Sequence, residues 1–347
     1  MSQMAAVTPL AEPVPHALLP FFETLMESQD FVAVVLGASK DPNPKVTMAL
    51  LAPGSVRPSF VIKVPMTDAA EAAVSREKNV IEGLWSRFGQ LPGIPRVLPS
   101  VDFQGRRAMV VSGLKGTPMF TSYHRRRHTT RPKLVAADFT AVQGWLESFQ
   151  LQTLGPRLPV TVVAGIQEQL ENRFRDDELL TPTVEILAKL NARLGQHSVP
   201  HAAVHGDLWC GNVLVADRRV SGIVDWELGA GEGNPLRDLG RFAITYALYL
   251  DRHTKSSKSV SGHPGLRADG WGAGVRYAVE GDGWFCELFR SFIRSGLVRL
   301  GAPNLDWRDV VQAGLLEIVV TADDLAFARH HLELFLELDV STRKRSS

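Results

Sequence analysis

The 347-residue sequence contains only two cysteines, no long apolar run and almost no net charge. Cys210 and Cys286 form no Cys-x-x-Cys pair, which excludes a disulfide framework and a cysteine-rich metal cluster. The longest nearly apolar run, residues 242–250, is too short to cross a bilayer. Because 38 Lys and Arg nearly balance 37 Asp and Glu, the composition also disfavours a nucleic-acid or membrane-surface partner.

What remains is the composition of a folded globular protein, with 45% hydrophobic and 22% charged residues. The first twenty residues have neither the basic start nor the apolar core of a secretory signal, so we expect a reduced, cytoplasmic protein without an integral membrane segment. The length predicts two domains or one domain with two lobes, and it leaves the oligomeric state open.

The patterning of the chain changes near residue 113. Residues 1–29 are proline-rich and predict a loose tail. Residues 30–113 predict a small sheet with one helix: strands at 31–36, 46–51, 60–64, 100–103 and 107–111, and a helix at 68–88. Residues 114–340 predict helices at 136–151, 160–175, 183–194, 236–250, 284–295 and within 306–338. We therefore expect an α+β fold with a small β-rich N-lobe, a larger and mostly helical C-lobe, and a basic tail at 341–347.

A short apolar hairpin within the helical part has polar residues at its open end. His205-Gly-Asp207-Leu-Trp-Cys-Gly-Asn212 precedes it and Asp225-Trp-Glu follows it. A turn at Arg218-Arg219 would place Asn212 directly opposite Asp225, where side chains lie about 5 Å apart. One carboxylate and one amide oxygen suit Mg²⁺. Asp207 would then lie close enough to accept a proton from a hydroxyl, as a phosphoryl-transfer base must.

The β-rich part contains a second candidate pair. Lys63 alternates with Ile62 and Val64, so it points away from their face of the strand. Glu77 lies within the apolar stripe of the 68–88 helix, where a carboxylate needs a partner. A Lys63–Glu77 pair would hold the ammonium over nucleotide phosphates, as in protein kinases. The alternatives are a solvent-exposed Lys63 and a Glu77 that pairs with its neighbours on the helix.

In this order, the His-Gly-Asp-x4-Asn motif, the later Asp-Trp-Glu, the strand lysine and the helix glutamate resemble the aminoglycoside phosphotransferase and choline kinase family. The resemblance covers about residues 30–335. It implies a bilobal protein-kinase-like fold. It also implies a small-molecule kinase that transfers the γ-phosphoryl group of ATP or GTP to a hydroxyl of an antibiotic, a sugar or an amino alcohol, with Mg²⁺ as cofactor.

The resemblance also implies a role for each motif residue of the larger lobe. Asp207 is the catalytic base, and His205 braces the loop that carries it. Asn212 and Asp225 are the Mg²⁺ ligands. Asp238, at the start of a helix, braces the same loop.

In the smaller lobe the resemblance implies that Lys63 binds phosphate and that Glu77 positions it. The backbone from Ser112 to Leu114 would be the hinge that takes the adenine. The loop at 37–45 has one glycine, not the three of the kinase pattern.

Two other functions fit parts of the sequence. A kinase-like nucleotide-binding module without catalysis would share the fold. A metal-dependent phosphatase would explain Gly206-Asp207 and Gly211-Asn212, but the Asp-x-His that such enzymes need upstream is missing.

The resemblance implies a small-molecule acceptor with a hydroxyl, and two sequence features bear on its identity. A cationic aminoglycoside would need a carboxylate-lined pocket, for which the sequence offers Glu287, Glu317, Asp323 and Asp324. The basic segment 124–133 is either a solvated loop or a site for a phosphorylated or carboxylated acceptor or an anionic surface. The Ser- and Gly-rich composition of segment 256–274 predicts a mobile loop. We expect Trp226 to be a packing residue.

Overall fold

The computed structural model describes residues 31–38, 44–103, 105–125 and 127–346. The predicted tail at 1–29 and the centre of the 37–45 loop lie outside these residues. By its contacts the chain forms two compact units, the first ending at residue 79 and resuming over 95–115, the second comprising 80–94 and 116–347. The lobe boundaries given above stay predictions.

The first unit is built on one antiparallel sheet. Its elements are β1 Val32–Ala38, β2 Lys45–Leu51, β3 Pro58–Pro65, the first part of α1 Asp68–Phe88, which continues into the second unit after residue 79, β4 Val97–Phe103 and β5 Arg106–Ser112. The strand order is β1-β2-β3-β5-β4, and each neighbouring pair is antiparallel. The five strands and the helix confirm the prediction, but β4 begins three residues early. Pro99 is accommodated there because it lies at a register irregularity between Leu98 and Val101.

Alternation along the strands gives this sheet two different faces. Met48, Leu50, Ile62 and Val64 share one face and form an apolar core with Val110. The intervening Lys63 lies on the other face, as its position in the strand predicts.

The second unit is mostly helical. Its strands are β6 Thr117–Pro118, β7 Arg157–Pro159, β8 Ser198–Pro200, β9 Ala202–Val204, β10 Val213–Ala216, β11 Arg219–Ile223 and β12 Ala230–Gly233. Its helices are α2 Met119–Tyr123, α3 Pro132–Gln152, α4 Ile166–Arg173, α5 Leu180–Leu194, α6 Leu236–Leu248, α7 Ala273–Glu280, α8 Trp284–Arg299, α9 Trp307–Thr321 and α10 Leu325–Ser346. The fold class, a β-rich N-terminal part and a helical C-terminal part, is confirmed.

Aromatic side chains fill the centre of the helical unit. Phe139 on α3 lies edge-on to rings from α6 and α8, with centroid distances from 4.8 to 6.1 Å: Phe242, Tyr246, Phe285 and Phe292. This packing holds α6 in place, and α6 carries residues of the candidate site.

Two predictions for this unit are corrected, and one helix was not predicted. Helix α4 covers 166–173 and not 160–175, because Gly165 before it is left-handed with φ +73°. Helix α7 was not predicted; it begins beside the Ser- and Gly-rich segment, after a left-handed Gly272. Helix α10 continues to Ser346, so residues 341–346 end a helix. None of the described helices combines the length and apolarity needed to cross a membrane.

The register of the β10–β11 hairpin also differs from the prediction. Its turn residues are Asp217 and Arg218, with φ of +51° and +60°, the left-handed pair of a two-residue turn. The predicted turn at Arg218-Arg219 is therefore wrong by one residue, and an irregularity after Leu214 shifts the strands once more. The backbone N–H of Val224 donates to the carbonyl of Asn212 at 3.0 Å. Asn212 thus lies opposite Val224, not Asp225.

Candidate active site

The loop between β9 and β10 begins with a sharp turn at Gly206. Its φ is +79°, and a Cβ at this position would lie 2.2 Å from the carbonyl oxygen of Leu228. Only glycine fits such a position. The turn ends β9 and sets the direction of the next residue, Asp207, whose side chain is 25% exposed.

Asp238 holds this turn from the first turn of α6. Its two carboxylate oxygens accept hydrogen bonds from the backbone N–H groups of His205 and Gly206, each at 2.8 Å. The side chain is buried, so these bonds to a charged acceptor are strong. This contact agrees with the bracing role that the family resemblance implied for Asp238.

His205 connects the two polar segments of the site. The ring is fully buried; its Nε2 lies 2.8 Å from the carbonyl oxygen of Val224, and its Nδ1 lies 3.2 Å from the backbone nitrogen of Asp207. A carbonyl only accepts and a backbone N–H only donates, so Nε2 carries the hydrogen and the ring is neutral. His205 therefore links the backbone of Asp207 to the residue before Asp225.

Trp226 packs against the ring of His205. Its indole is fully buried, lies edge-on to the His205 ring at 4.7 Å between centroids, and donates to the carbonyl of Ile223 at 3.0 Å. The predicted packing role is confirmed.

Asn212 and Asp207 are brought together at the end of the loop. The amide nitrogen of Asn212 donates to the backbone oxygen of Asp207 at 3.0 Å and to its Oδ2 at 3.3 Å. The side chain of Asn212 is 4% exposed. With its nitrogen engaged, Asn212 has its amide oxygen left for another ligand.

Asp225 has an unusual backbone conformation. Its φ of +63° lies in the left-handed region, which is uncommon for a residue other than glycine and is enriched at functional sites. Within the described residues no group of three or more His, Cys, Asp or Glu side chains is placed to hold a metal. A cation here would have one carboxylate and one amide as protein ligands, the small set of hard oxygens that suits Mg²⁺.

Sequence reasoning missed Arg241 on α6. Its Nη2 lies 2.5 Å from Oδ1 of Asp207, and its Nη1 donates to Oγ1 of Thr321 at 3.3 Å. The side chain is 14% exposed. Two signals were available: Arg241 interrupts an apolar run, and it follows Asp238 by three residues, which puts both on one side of α6.

The predicted Lys63–Glu77 pair is confirmed. Nζ of Lys63 lies 2.7 Å from both carboxylate oxygens, and the two residues are 5% and 3% exposed. Lys63 is therefore not a solvent-exposed edge residue. Removing one partner of such a buried pair typically costs about 3–5 kcal/mol.

The Ser112–Leu114 segment is only partly available to a ligand. The N–H of Ser112 donates to the carbonyl of Arg96 at 2.9 Å, and the N–H of Gly113 donates to Ser59 at 2.8 Å. Neither can donate to an adenine. Among these three residues only the N–H of Leu114 makes no backbone hydrogen bond within the described part of the chain.

The acidic residues that were candidates for an aminoglycoside pocket have local partners. Glu317 is buried on α9 and pairs with Arg237 at 3.1 Å. Glu287 pairs with Arg290 on the surface of α8, and Asp324 accepts from the N–H of Phe327 at the start of α10.

A family model of the phosphotransferase enzyme family (APH) matches residues 50–255. This match agrees with the kinase-like fold and the Asp207 loop, and the class of the protein is a phosphotransferase. The chain belongs to the APH phosphotransferase family, which confirms the predicted family and enzyme class. No curated protein matches the sequence.

Solved structures of the same fold are distant in sequence. A thermostable mutant of aminoglycoside phosphotransferase APH(4)-Ia, in ternary complex with AMP-PNP and hygromycin B, has TM-score 0.55 and 15% identity, covering 92% of this chain and 97% of its own. ADP-bound APH(2'')-Ib has TM-score 0.52 and 14% identity, covering 93% and 97%. A GDP complex of a mutant aminoglycoside 2'-phosphotransferase-IIIa has TM-score 0.52 and 13% identity, covering 95% and 98%.

Proposed function

We propose that this protein transfers the γ-phosphoryl group of ATP or GTP to a hydroxyl of a small molecule, with Asp207 as the catalytic base. The observation that carries the proposal is the fixed Asp207 carboxylate, held by Arg241 on Oδ1 and by Asn212 on Oδ2. Structures of the same fold with AMP-PNP, ADP and GDP support a nucleotide as co-substrate.

The two oxygens of Asp207 would have different tasks. Oδ1 forms a short, charge-assisted bond with Arg241, whereas the bond from Asn212 to Oδ2 is longer, at 3.3 Å. Oδ2 is therefore the better acceptor for the proton of the incoming hydroxyl. As that hydroxyl oxygen bonds to the γ-phosphorus and the bond to the β–γ bridging oxygen breaks, the proton passes to Oδ2.

Asn212, through its amide oxygen, and Asp225, through its carboxylate, would hold Mg²⁺. When bound, the ion neutralises charge on the nucleotide phosphates. His205 would keep the Asp207 backbone in register with the end of β11. Lys63 would contact phosphate, with Glu77 fixing the ammonium.

The test is nucleotide consumption, with ATP and with GTP, by purified protein against antibiotics, sugars and amino alcohols. We expect turnover with at least one acceptor. Asp207→Asn keeps the size of the side chain but removes the base, so kcat should fall about a hundredfold or more while nucleotide affinity stays within about twofold. Normal turnover in this variant would remove Asp207 from the role of base.

Two further outcomes separate the alternatives. Nucleotide binding without turnover of any acceptor would favour the non-catalytic module. Wild-type protein that binds neither ATP nor GTP in the presence of Mg²⁺ would overturn the proposal.

A further inference from the structure

Three half-buried aromatic rings form a wall next to the catalytic loop. Phe120 on α2 lies 5.0 Å from Trp209 and 5.8 Å from Tyr249 between centroids, and Trp209 and Tyr249 are 6.5 Å apart. Trp209 is only two residues after Asp207. We call these three residues the aromatic wall.

The wall is attached to the loop that carries the base. The N–H of Phe120 donates to the carbonyl of Cys210 at 2.9 Å. A Cβ on Gly211 would lie 2.3 Å from the Trp209 indole, so that ring rests on the loop backbone. The pKa of Tyr249 is raised, first by burial and also by the charge of Asp207. The wall and the base therefore belong to one local region.

A chain of basic groups covers the wall. The guanidinium of Arg252 lies 5.8 Å from the Phe120 ring and 5.6 Å from the Tyr249 ring. Its Nη1 lies 3.4 Å from Nε2 of His124, and Nδ1 of His124 lies 3.0 Å from Nε2 of His253. Arg252 and His253 are exposed.

The positive charge of this group lies on Arg252, because His124 accepts from Arg252 at Nε2 and its pKa is lowered by burial and by the neighbouring Arg252 and His253. Within the described residues no carboxylate lies within ion-pair distance of Arg252, not even its sequence neighbour Asp251. By contrast, His128 in the same basic segment is used internally, with its Nε2 2.7 Å from Asp138. Arg252 would repel a cationic acceptor, and three of the candidate residues for an aminoglycoside pocket, Glu287, Glu317 and Asp324, have local partners.

We propose that the acceptor is an anion: its phosphate or carboxylate group binds Arg252 and His253, which His124 links, and its apolar part packs on the aromatic wall. Its hydroxyl then meets Asp207. The inference rests on the proposed function, because it names the acceptor class of that same site. The proposed acceptor thus differs in charge from aminoglycosides, which are polycations.

The kinetic test compares acceptors that differ in charge. Each sugar or amino alcohol is assayed beside its phosphorylated or carboxylated analogue and beside a polycationic aminoglycoside. We expect the anionic member of a pair to have the higher kcat/KM. Arg252→Ala should lower that kcat/KM about tenfold or more, the usual cost of losing a charged hydrogen bond, and Arg252→Lys should lower it less.

Arg308→Ala is the matched control. Arg308 also lies over an aromatic ring, 4.5 Å from the centroid of Trp307, but on α9 and outside the candidate site. It should leave kcat/KM unchanged. An equal loss in both variants would mean that Arg252 only stabilises the fold, and preference for the polycation would overturn the inference.

A binding test does not depend on finding the acceptor. With the nucleotide site saturated by AMP-PNP and Mg²⁺, calorimetry measures the affinity for phenyl phosphate, phenylacetate and phenethylamine. We expect one of the two anions to bind saturably, to lose about tenfold in Arg252→Ala, and to bind more tightly than the amine; which anion binds identifies the group. Absence of anion binding, or tighter binding of the amine, overturns the inference while nucleotide binding leaves the proposed function standing.

Discussion

Arg241 is the residue that most changes the description of the site. The motif residues alone leave Asp207, the proposed base, with one amide neighbour, whereas the structure gives it a charged partner as well. The guanidinium also donates to Thr321 at the end of α9, and this second contact holds it in place. It can therefore orient the Asp207 carboxylate. We regard Arg241 as a positioning residue for the base.

Arg241→Ala should lower kcat about tenfold or more because the Asp207 carboxylate loses a charge-assisted bond. The KM for nucleotide should change little, since the nucleotide does not depend on this contact. Steady-state kinetics of wild type, Arg241→Ala and Arg241→Lys measure both constants. Partial rescue by lysine is expected. A change in KM alone would contradict the positioning role.

Residue identities were predictable from the sequence where chemistry demands a local pattern. Lys63 and Glu77 could be paired because a buried charge needs a partner and both positions follow from the period of the strand and the helix. Arg241 and Thr321 could not be joined to Asp207, because they come from two helices whose packing is set by distant apolar contacts. The hydrogen bond from the Ser112 N–H to the carbonyl of Arg96 could not be predicted either, because it depends on the strand register.

At the scale of elements, the contact between α6 and α9 contains a buried carboxylate. Glu317 pairs with Arg237 at 3.1 Å, yet burial raises its pKa to about 7, against the attraction of Arg237 and Arg241. In the unfolded chain a glutamate titrates near its ordinary value of about 4.3. The folded protein thus keeps Glu317 protonated to a higher pH than the unfolded chain does.

This raised pKa predicts a pH dependence of stability. The contribution of Glu317 is complete below its unfolded pKa and is lost as the pH rises through about 7. Relative to Glu317→Gln, which does not titrate, wild type should lose up to about 3 kcal/mol of unfolding free energy between pH 4.5 and pH 7.5. Urea unfolding of both proteins across this range measures the difference. A constant difference would show that the pKa is unshifted.

Elements were predictable where they are long and periodic, and less so where a turn decides them. Helix α1 was predicted with its observed ends. The hairpin turn was misplaced because Asp217 and Arg218 lack the glycine that usually marks two left-handed residues. That error put Asn212 opposite Asp225 instead of Val224, so the grouping of Asn212 and Asp225 as cation ligands rests on the family resemblance and not on the strand register.

For the whole molecule, a bound nucleotide should act as a stabilising ligand. At one hundred times its Kd, a ligand specific for the folded state adds about 2.7 kcal/mol. Thermal unfolding with ATP should therefore show a higher Tm in Mg²⁺ than in EDTA. Asp225→Asn should remove most of this Mg²⁺-dependent gain, and asparagine tolerates the left-handed backbone at that position. A Tm gain that is equal in EDTA would contradict the ligand role.

The architecture as a whole was predictable because the pattern of strands and helices changes once along the chain. The near-zero net charge was less informative. It averages over a buried Lys63–Glu77 pair in one unit and an Arg252 in the other that has no carboxylate within ion-pair distance among the described residues. Only the placement of charges, which a composition cannot give, distinguishes an anion-binding acceptor site from a cation-binding one.

Cys210 has a consequence for how this protein can be observed. It lies inside the loop that carries Asp207, is fully buried, and burial raises the pKa of its thiol. Such a thiol reacts with alkylating agents only when its surroundings open. Cys286 is equally buried but lies on α8. The two buried thiols are thus natural labelling sites. The ratio of their labelling rates reports whether the loop that carries Asp207 opens on its own or only when the helical core unfolds.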